Sequence, residues 1–128
     1  MCTVSGWGDS GTEGNVIVIR KAVLPIIDNK RCDKEYKLHE NSTQIFEGQI
    51  CAWDLPDMSA CNGDSGGPLQ CQVKGHNLLV GIISSGDGRC YNHNYDLSQV
   101  PNVFTRVSYY YDWIESQIQY NIKTYYKL

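Results

Sequence analysis

Long apolar runs are missing from this chain. No stretch of about 18 apolar residues occurs, which leaves no candidate transmembrane helix. Basic excess is missing too: 11 Lys and Arg stand against 14 Asp and Glu, for a net charge of −3 with no basic cluster. Neither nucleic acid nor an anionic membrane surface is therefore an expected partner. Met1 is followed at once by Cys-Thr-Val-Ser-Gly-Trp, without the charged start and apolar core of a secretory leader. Repeats, low-complexity segments and linker-like stretches are absent, and 128 residues suit one ordinary domain. Nor do the six cysteines include a Cys-x-x-Cys pair, which argues for disulfides over a zinc site. So many cysteines in so short a chain imply an oxidising compartment, although their spacing alone leaves the pairing open.

What is present is dominated by one segment, Gly63-Asp64-Ser65-Gly66-Gly67-Pro68-Leu69. A serine between an acidic residue and two glycines, closed by proline, suits a nucleophile held on a tight turn. Glycine can take positive φ and lets a substrate carbonyl approach the backbone closely. Consecutive N–H groups around Ser65 can then converge on a developing negative charge, as an oxyanion hole requires. The bland reading of the same string is a Gly-rich β-turn.

The rest reads as strands with one late helix. Asn15–Arg20, Ala22–Ile26, Gly48–Ala52, Pro68–Val73 and Leu78–Ser84 are β-branched or alternating segments separated by Gly, Asn and Asp turns. Val107, Tyr110, Tyr111, Ile114, Ile118 and Ile122 recur at three- and four-residue intervals, predicting an amphipathic helix whose apolar side packs on the core.

Four segments together resemble the chymotrypsin-like serine proteases of peptidase family S1. Gly63–Leu69 matches that family's nucleophile motif, and Cys2-Thr3-Val4-Ser5-Gly6-Trp7-Gly8 matches the opening of its second half. Val80-Gly81-Ile82-Ile83-Ser84-Ser85-Gly86 looks like the strand that pairs with substrate backbone. Pro101–Val107, followed by Trp113-Ile114, is similar to the final strand and C-terminal helix. The resemblance implies an all-β fold: the C-terminal six-stranded antiparallel Greek-key barrel of a two-barrel architecture, about residues 1–107, with a C-terminal α-helix at about 108–123. It implies disulfides Cys2–Cys71, Cys32–Cys51 and Cys61–Cys90, each contributing roughly 2–4 kcal/mol.

The resemblance also assigns roles. Ser65 is the expected nucleophile, and the backbone N–H groups of Gly63 and Ser65 the expected oxyanion hole. Asp64 takes the place of the carboxylate that pairs with the N-terminus released on zymogen activation; without that partner the loop around it is expected to be disordered, and the bland reading of Asp64 is a turn cap. The family's catalytic histidine and aspartate belong to an N-terminal barrel that the aligned region lacks. His39, His76 and His93 sit in no Ala-Ala-His-Cys motif. Acylation needs a base beside the serine, so the chain alone is expected to be inactive. In a secreted protein of this family the leader, activation peptide and first barrel would lie upstream, with Met1 an internal residue or a truncated start. The implied partners are polypeptide substrates, the missing barrel and protein protease inhibitors; no cofactor or metal is implied.

Specificity residues follow from the same match. Ser59, six residues before the nucleophile, stands where trypsin-like members carry aspartate, so Lys and Arg are disfavoured at P1, the substrate residue before the cleaved bond. Asn102 replaces a wall glycine and is expected to shorten or polarise the pocket. Gly86 keeps the entrance open, Ser84 lies on the substrate-pairing strand, and Ser85 replaces a tryptophan. The pattern is closest to elastase-like members, with chymotrypsin-like preference second: small or medium uncharged P1 residues. The 91–100 loop is longer than usual, and its His93, Asn94 and Asp96 read as solvated rather than metal-binding. Asn41-Ser42-Thr43 is a glycosylation sequon. His39 and His76 read as solvated turn residues. A secreted, non-catalytic homologue that uses the fold for binding is the competing function.

Overall fold

The computed structural model describes residues 1–9, 18–40, 44–53, 59–86 and 100–125. Among the described residues, seven strands form one antiparallel sheet: β1 (Cys2–Gly6), β2 (Arg20–Leu24), β3 (Ile26–Ile27), β4 (Gln49–Ala52), β5 (Pro68–Val73), β6 (His76–Ser85) and β7 (Asn102–Arg106). Their order across the sheet is β2-β1-β5-β6-β7-β4-β3. The two edge strands, β2 and β3, are consecutive in the chain and separated only by Pro25. Proline has no N–H to donate and interrupts the ladder there. Leu24 pairs with Cys2 on one side of the break and Ile26 with Ala52 on the other. One bent segment thus joins both edges, and the sheet is a nearly closed barrel. Counted through the bend, the strands are the six expected, in Greek-key order.

Cys2, Val4, Leu24, Ile50, Ala52, Leu69, Ile83 and Phe104 fill the barrel interior, the inward positions of alternating strands. The hairpin β5–β6 turns at Lys74-Gly75, with Val73 opposite His76. His76 therefore opens a strand rather than sitting in a turn, although it is exposed as expected. Strand β2 begins at Arg20; Val18 and Ile19 precede it and are exposed, and residues 15–17 of the expected first strand lie outside the described residues.

A helix the sequence pattern did not announce, α1 (Asn29–Glu40), lies between β3 and β4. Its apolar stripe is only Cys32 and Tyr36, one turn apart, too thin to register as periodicity among charged neighbours. Local chemistry starts it: Asp28 Oδ1 accepts the Arg31 N–H at 2.9 Å, an N-cap. Tertiary contacts hold it. Cys32 is disulfide-bonded to Cys51 on β4, and the buried Tyr36 hydroxyl donates to the Pro101 carbonyl at 3.0 Å. Ile27, Trp53, Val100 and Val103 complete this second core.

The C-terminal helix, α2 (Tyr111–Tyr125), forms after a 3₁₀ turn at Val107–Tyr110. The expectation that it packs on the core holds only in part: Val107, Tyr110 and Ile114 of the stripe are half-buried, whereas Tyr111, Ile118 and Ile122 are 58%, 48% and 52% exposed. The barrel interior is already filled by β-strand side chains such as Phe104 and Leu69, both fully buried, so the later part of the stripe has no core left to enter.

Candidate active site

Two consecutive β-turns carry the motif. The Asp64 N–H donates to the Cys61 carbonyl, and the Gly67 N–H to the Asp64 carbonyl, both at 2.9 Å. The third positions of these turns, Gly63 and Gly66, have φ of 93° and 82°, values that side chains with a Cβ rarely adopt. Hydrogen bonds from Gly66 N–H to the Ile83 carbonyl and from Ile83 N–H to the Gly67 carbonyl, both 2.9 Å, fasten the second turn to β6. Ser65 sits at the second position of that turn and is exposed. Among the described residues, nothing accepts from the N–H groups of Gly63 or Ser65.

The Asp64 side chain turns away from the serine toward β1. Its Oδ1 accepts the Gly8 N–H at 2.8 Å and its Oδ2 the Cys61 N–H at 3.0 Å. A Cβ on Gly6 or Gly8 would overlap this carboxylate. The carboxylate thus has partners within the chain, and the expected disorder of the loop gives way to two hydrogen-bonded turns. Gly8 is the residue that sequence reasoning missed as a site component. Its signal was the Gly-x-Gly spacing around Trp7, which admits a neighbouring side chain against bare backbone.

Of the residues assigned to the specificity pocket, Ser59 and Gly86 meet at Asn102. Asn102, at the start of β7, is 1% exposed. Its Oδ1 accepts the Ser59 hydroxyl at 3.0 Å and the Ala60 N–H at 3.1 Å. A Cβ on Gly86 would stand 3.0 Å from the same oxygen, so Gly86 lies directly against the amide. Ser84 falls in a register irregularity between β6 and β7, where Ile83 faces Phe104 and Ser85 faces Val103. Both serines are exposed. Such irregularities re-aim side chains at the ends of strands.

Cys2 and Cys71 are disulfide-bonded and face each other across β1 and β5. Cys61 is also disulfide-bonded; its expected partner, Cys90, lies outside the described residues, as do Asn41, His93 and the 91–99 segment. His39 belongs to α1. His76 lies seven residues along β6 from Ile83, about 23 Å at strand rise, and is not brought to Ser65. No helix of the described residues is long and apolar enough to cross a membrane.

Comparison with known proteins agrees with this fold. The trypsin family model matches residues 1–114. The chain is 39% identical over 120 residues to chymotrypsin-C of Bos taurus and 40% identical over 120 residues to chymotrypsin-C of Mus musculus, each alignment covering 92% of this chain and 42% of the relative. It is 37% identical over 116 residues to trypsin-1 of Astacus astacus, covering 88% of this chain and 44% of that protein. The chain spans less than half the length of these curated relatives. Its motif, its barrel and its relatives agree, and the chain belongs to the trypsin family of chymotrypsin-like serine proteases.

Proposed function

We propose that this chain supplies the nucleophile, oxyanion hole and primary specificity pocket of a secreted serine endopeptidase that cleaves polypeptides after small or medium uncharged residues. One observation carries the reading: Ser65 is exposed at a turn whose Gly63 and Ser65 N–H groups have no described acceptor, while the Asp64 carboxylate is occupied elsewhere. With its charge held by Gly8 and Cys61, Asp64 does not compete for those donors.

In the proposed reaction the Ser65 oxygen attacks the scissile carbonyl carbon and passes its proton to a base. The carbonyl oxygen becomes an oxyanion and accepts from Gly63 and Ser65. Loss of one such donor costs about 2.7–4 kcal/mol in comparable enzymes. Collapse of the intermediate breaks the C–N bond, and the amine leaves with the proton returned by the base. Water then hydrolyses the acyl-enzyme by the reverse proton route. The described residues bring no histidine to Ser65, so the base and its orienting carboxylate are assigned to an N-terminal barrel of the complete protein. The activation role of Asp64, in which an ammonium group joins Gly8 and Cys61 at its carboxylate, belongs to the same proposal.

Fluorophosphonate labelling tests the reading. The chain alone should not be labelled stoichiometrically, whereas the complete protein should be labelled at Ser65 and lose labelling in Ser65→Ala. Rapid labelling of the isolated chain that disappears in Ser65→Ala would place an activating group within it. A complete, correctly processed protein that resists labelling would favour a binding homologue.

A further inference from the structure

A cavity of ≈ 450 Å³ opens where β3 runs into α1 and β7 ends, and it shares no residue with the Ser65 turn or the Ser59–Asn102 cluster. Sites for small ligands span about 300–1,000 Å³. Ile26, Ile27 and Ile50 make its walls apolar, and Asp28, Asn29 and Arg106 complete the lining. Arg106 is half-buried and fixed in place. Its Nε donates to the Glu47 and Gln49 carbonyls at 2.8 and 3.0 Å, and its Nη2 to the Gln49 carbonyl and Asn29 Oδ1 at 2.7 and 3.2 Å. Asn29 is locked in turn, its Nδ2 donating to the Phe46 and Gln49 carbonyls. These bonds make a strut between β7 and the chain entering β4, but they use only Nε and Nη2. Nη1 has no partner among the described residues, and their ion pair is Lys37–Asp33 rather than one to Arg106. Carbonyl dipoles orient a guanidinium without cancelling its charge. A rigid cation beside apolar walls, with no counter-ion, is a preorganised receptor for an anion.

We propose that this cavity receives the C-terminal carboxylate of a peptide whose last residue is aliphatic. The carboxylate accepts from Arg106 Nη1, and the aliphatic side chain lies against Ile26, Ile27 and Ile50. Asp28 selects against a bare phosphate or sulfate. One of its oxygens accepts the Arg31 N–H, and the other has no partner among the described residues, so an anion must bring a hydrogen-bond donor to offset this second charge. A peptide terminus does so with the N–H next to its carboxylate, which Asp28 accepts. A fatty carboxylate has the apolar body but no such donor. A terminal amide has the donor but no charge for Arg106. Capture of a chain terminus is a recurring mode of peptide recognition. The proposal is independent of the endopeptidase reading, because none of these residues belongs to the Ser65 site.

The test uses the complete protein with Ser65→Ala, so that the probe stays intact. By titration calorimetry, N-acetyl-Gly-Gly-Leu should bind at least about tenfold more tightly as the free acid than as the C-terminal amide, the discrimination that one hydrogen bond to a charged group gives. In protein labelled with ¹⁵N, the Arg106 Nε–H signal should shift with the acid and not with the amide. Arg106→Gln removes the strut along with the charge, so the deciding variant is Ile26→Glu, which alters an exposed side chain and leaves every bond of the strut intact. It should cost the free acid about tenfold or more in affinity and leave the weak binding of the amide unchanged. Equal binding of acid and amide, or a preference that survives Ile26→Glu, overturns the proposal. So does the absence of binding. Hexanoate or inorganic phosphate competing as well as the peptide would make Arg106 an anion site of another kind and defeat the peptide assignment.

Discussion

Asp64 and Gly8, 56 residues apart, are joined by a 2.8 Å hydrogen bond from the Gly8 amide to the Asp64 carboxylate. The bond ties the turn that carries Ser65 to the end of β1. It exists because Gly8 has no side chain to keep the carboxylate away.

Gly8→Ala should therefore expel the Asp64 side chain and cost about 2–3 kcal/mol, the value of a hydrogen bond to a charged group together with its disrupted surroundings. Gly66→Ala provides the contrast. Its added Cβ meets nothing within 4 Å, but φ is 82°, so only backbone strain of about 1–2 kcal/mol is expected. Denaturant unfolding of the two variants should rank them in that order.

Under the proposed function, specificity in the complete protein should exclude basic residues. Ser59 offers no buried negative charge, so kcat/KM for P1 arginine should fall at least about a hundredfold below that for the best uncharged residue. Ser59→Asp should recover part of the basic preference, limited by the Asn102 amide that Ser59 now contacts. Arginine ranking first in a wild-type P1 series would show that the pocket has been placed wrongly.

Helix α1 should depend on its tertiary ties. Removing Cys32–Cys51, a separation of 19 residues, in a Cys32→Ser/Cys51→Ser double variant should cost about 3 kcal/mol. Tyr36→Phe leaves the Pro101 carbonyl without its hydroxyl donor and should cost about 1–2 kcal/mol. Hydrogen exchange should report the loss first in residues 29–40 in both cases.

Stability should carry an acidic signature from Asp33. Hydrogen bonds from the Lys37 ammonium and the Ile45 N–H hold its carboxyl below the ordinary 3.8. Because the folded state binds this proton less readily than the unfolded one, the contribution is present above 3.8 and lost as pH falls through the lower folded value. Asp33→Asn should be less stable than wild type at neutral pH, and urea unfolding should show the gap closing in acid.

The exposed stripe of α2 should make the isolated chain adhesive. Tyr111, Ile118 and Ile122 present apolar surface along one face of the helix, and contiguous patches of this kind drive association. The oxidised chain should bind hydrophobic dyes and self-associate, and Ile118→Lys with Ile122→Lys should reduce both. A monodisperse, dye-silent wild-type chain would contradict this expectation.

The amino-acid sequence by itself determined the turn chemistry and the strand pattern, and the barrel followed from the family resemblance. Glycines at 63 and 66 supply the positive φ of two turns, and alternating apolar residues from Cys2 to Phe104 define an inside. These are local properties, written in neighbouring residues. That Pro25 breaks the expected Ala22–Ile26 strand into two, one at each sheet edge, came only with the structure. Helix α1 was not legible, because a two-residue stripe gives no period and its stability comes from Cys51 and Pro101 across the fold. The fate of α2 was not legible either: periodicity announces an apolar face but not whether the core has room for it. Tertiary structure alone decided that Asp64 turns to Gly8, and that the Asn102 amide faces Ser59 and Ala60 with its oxygen. Those choices depend on which donors the folded barrel brings within hydrogen-bond reach, and the partners lie 42 to 56 residues away in the chain.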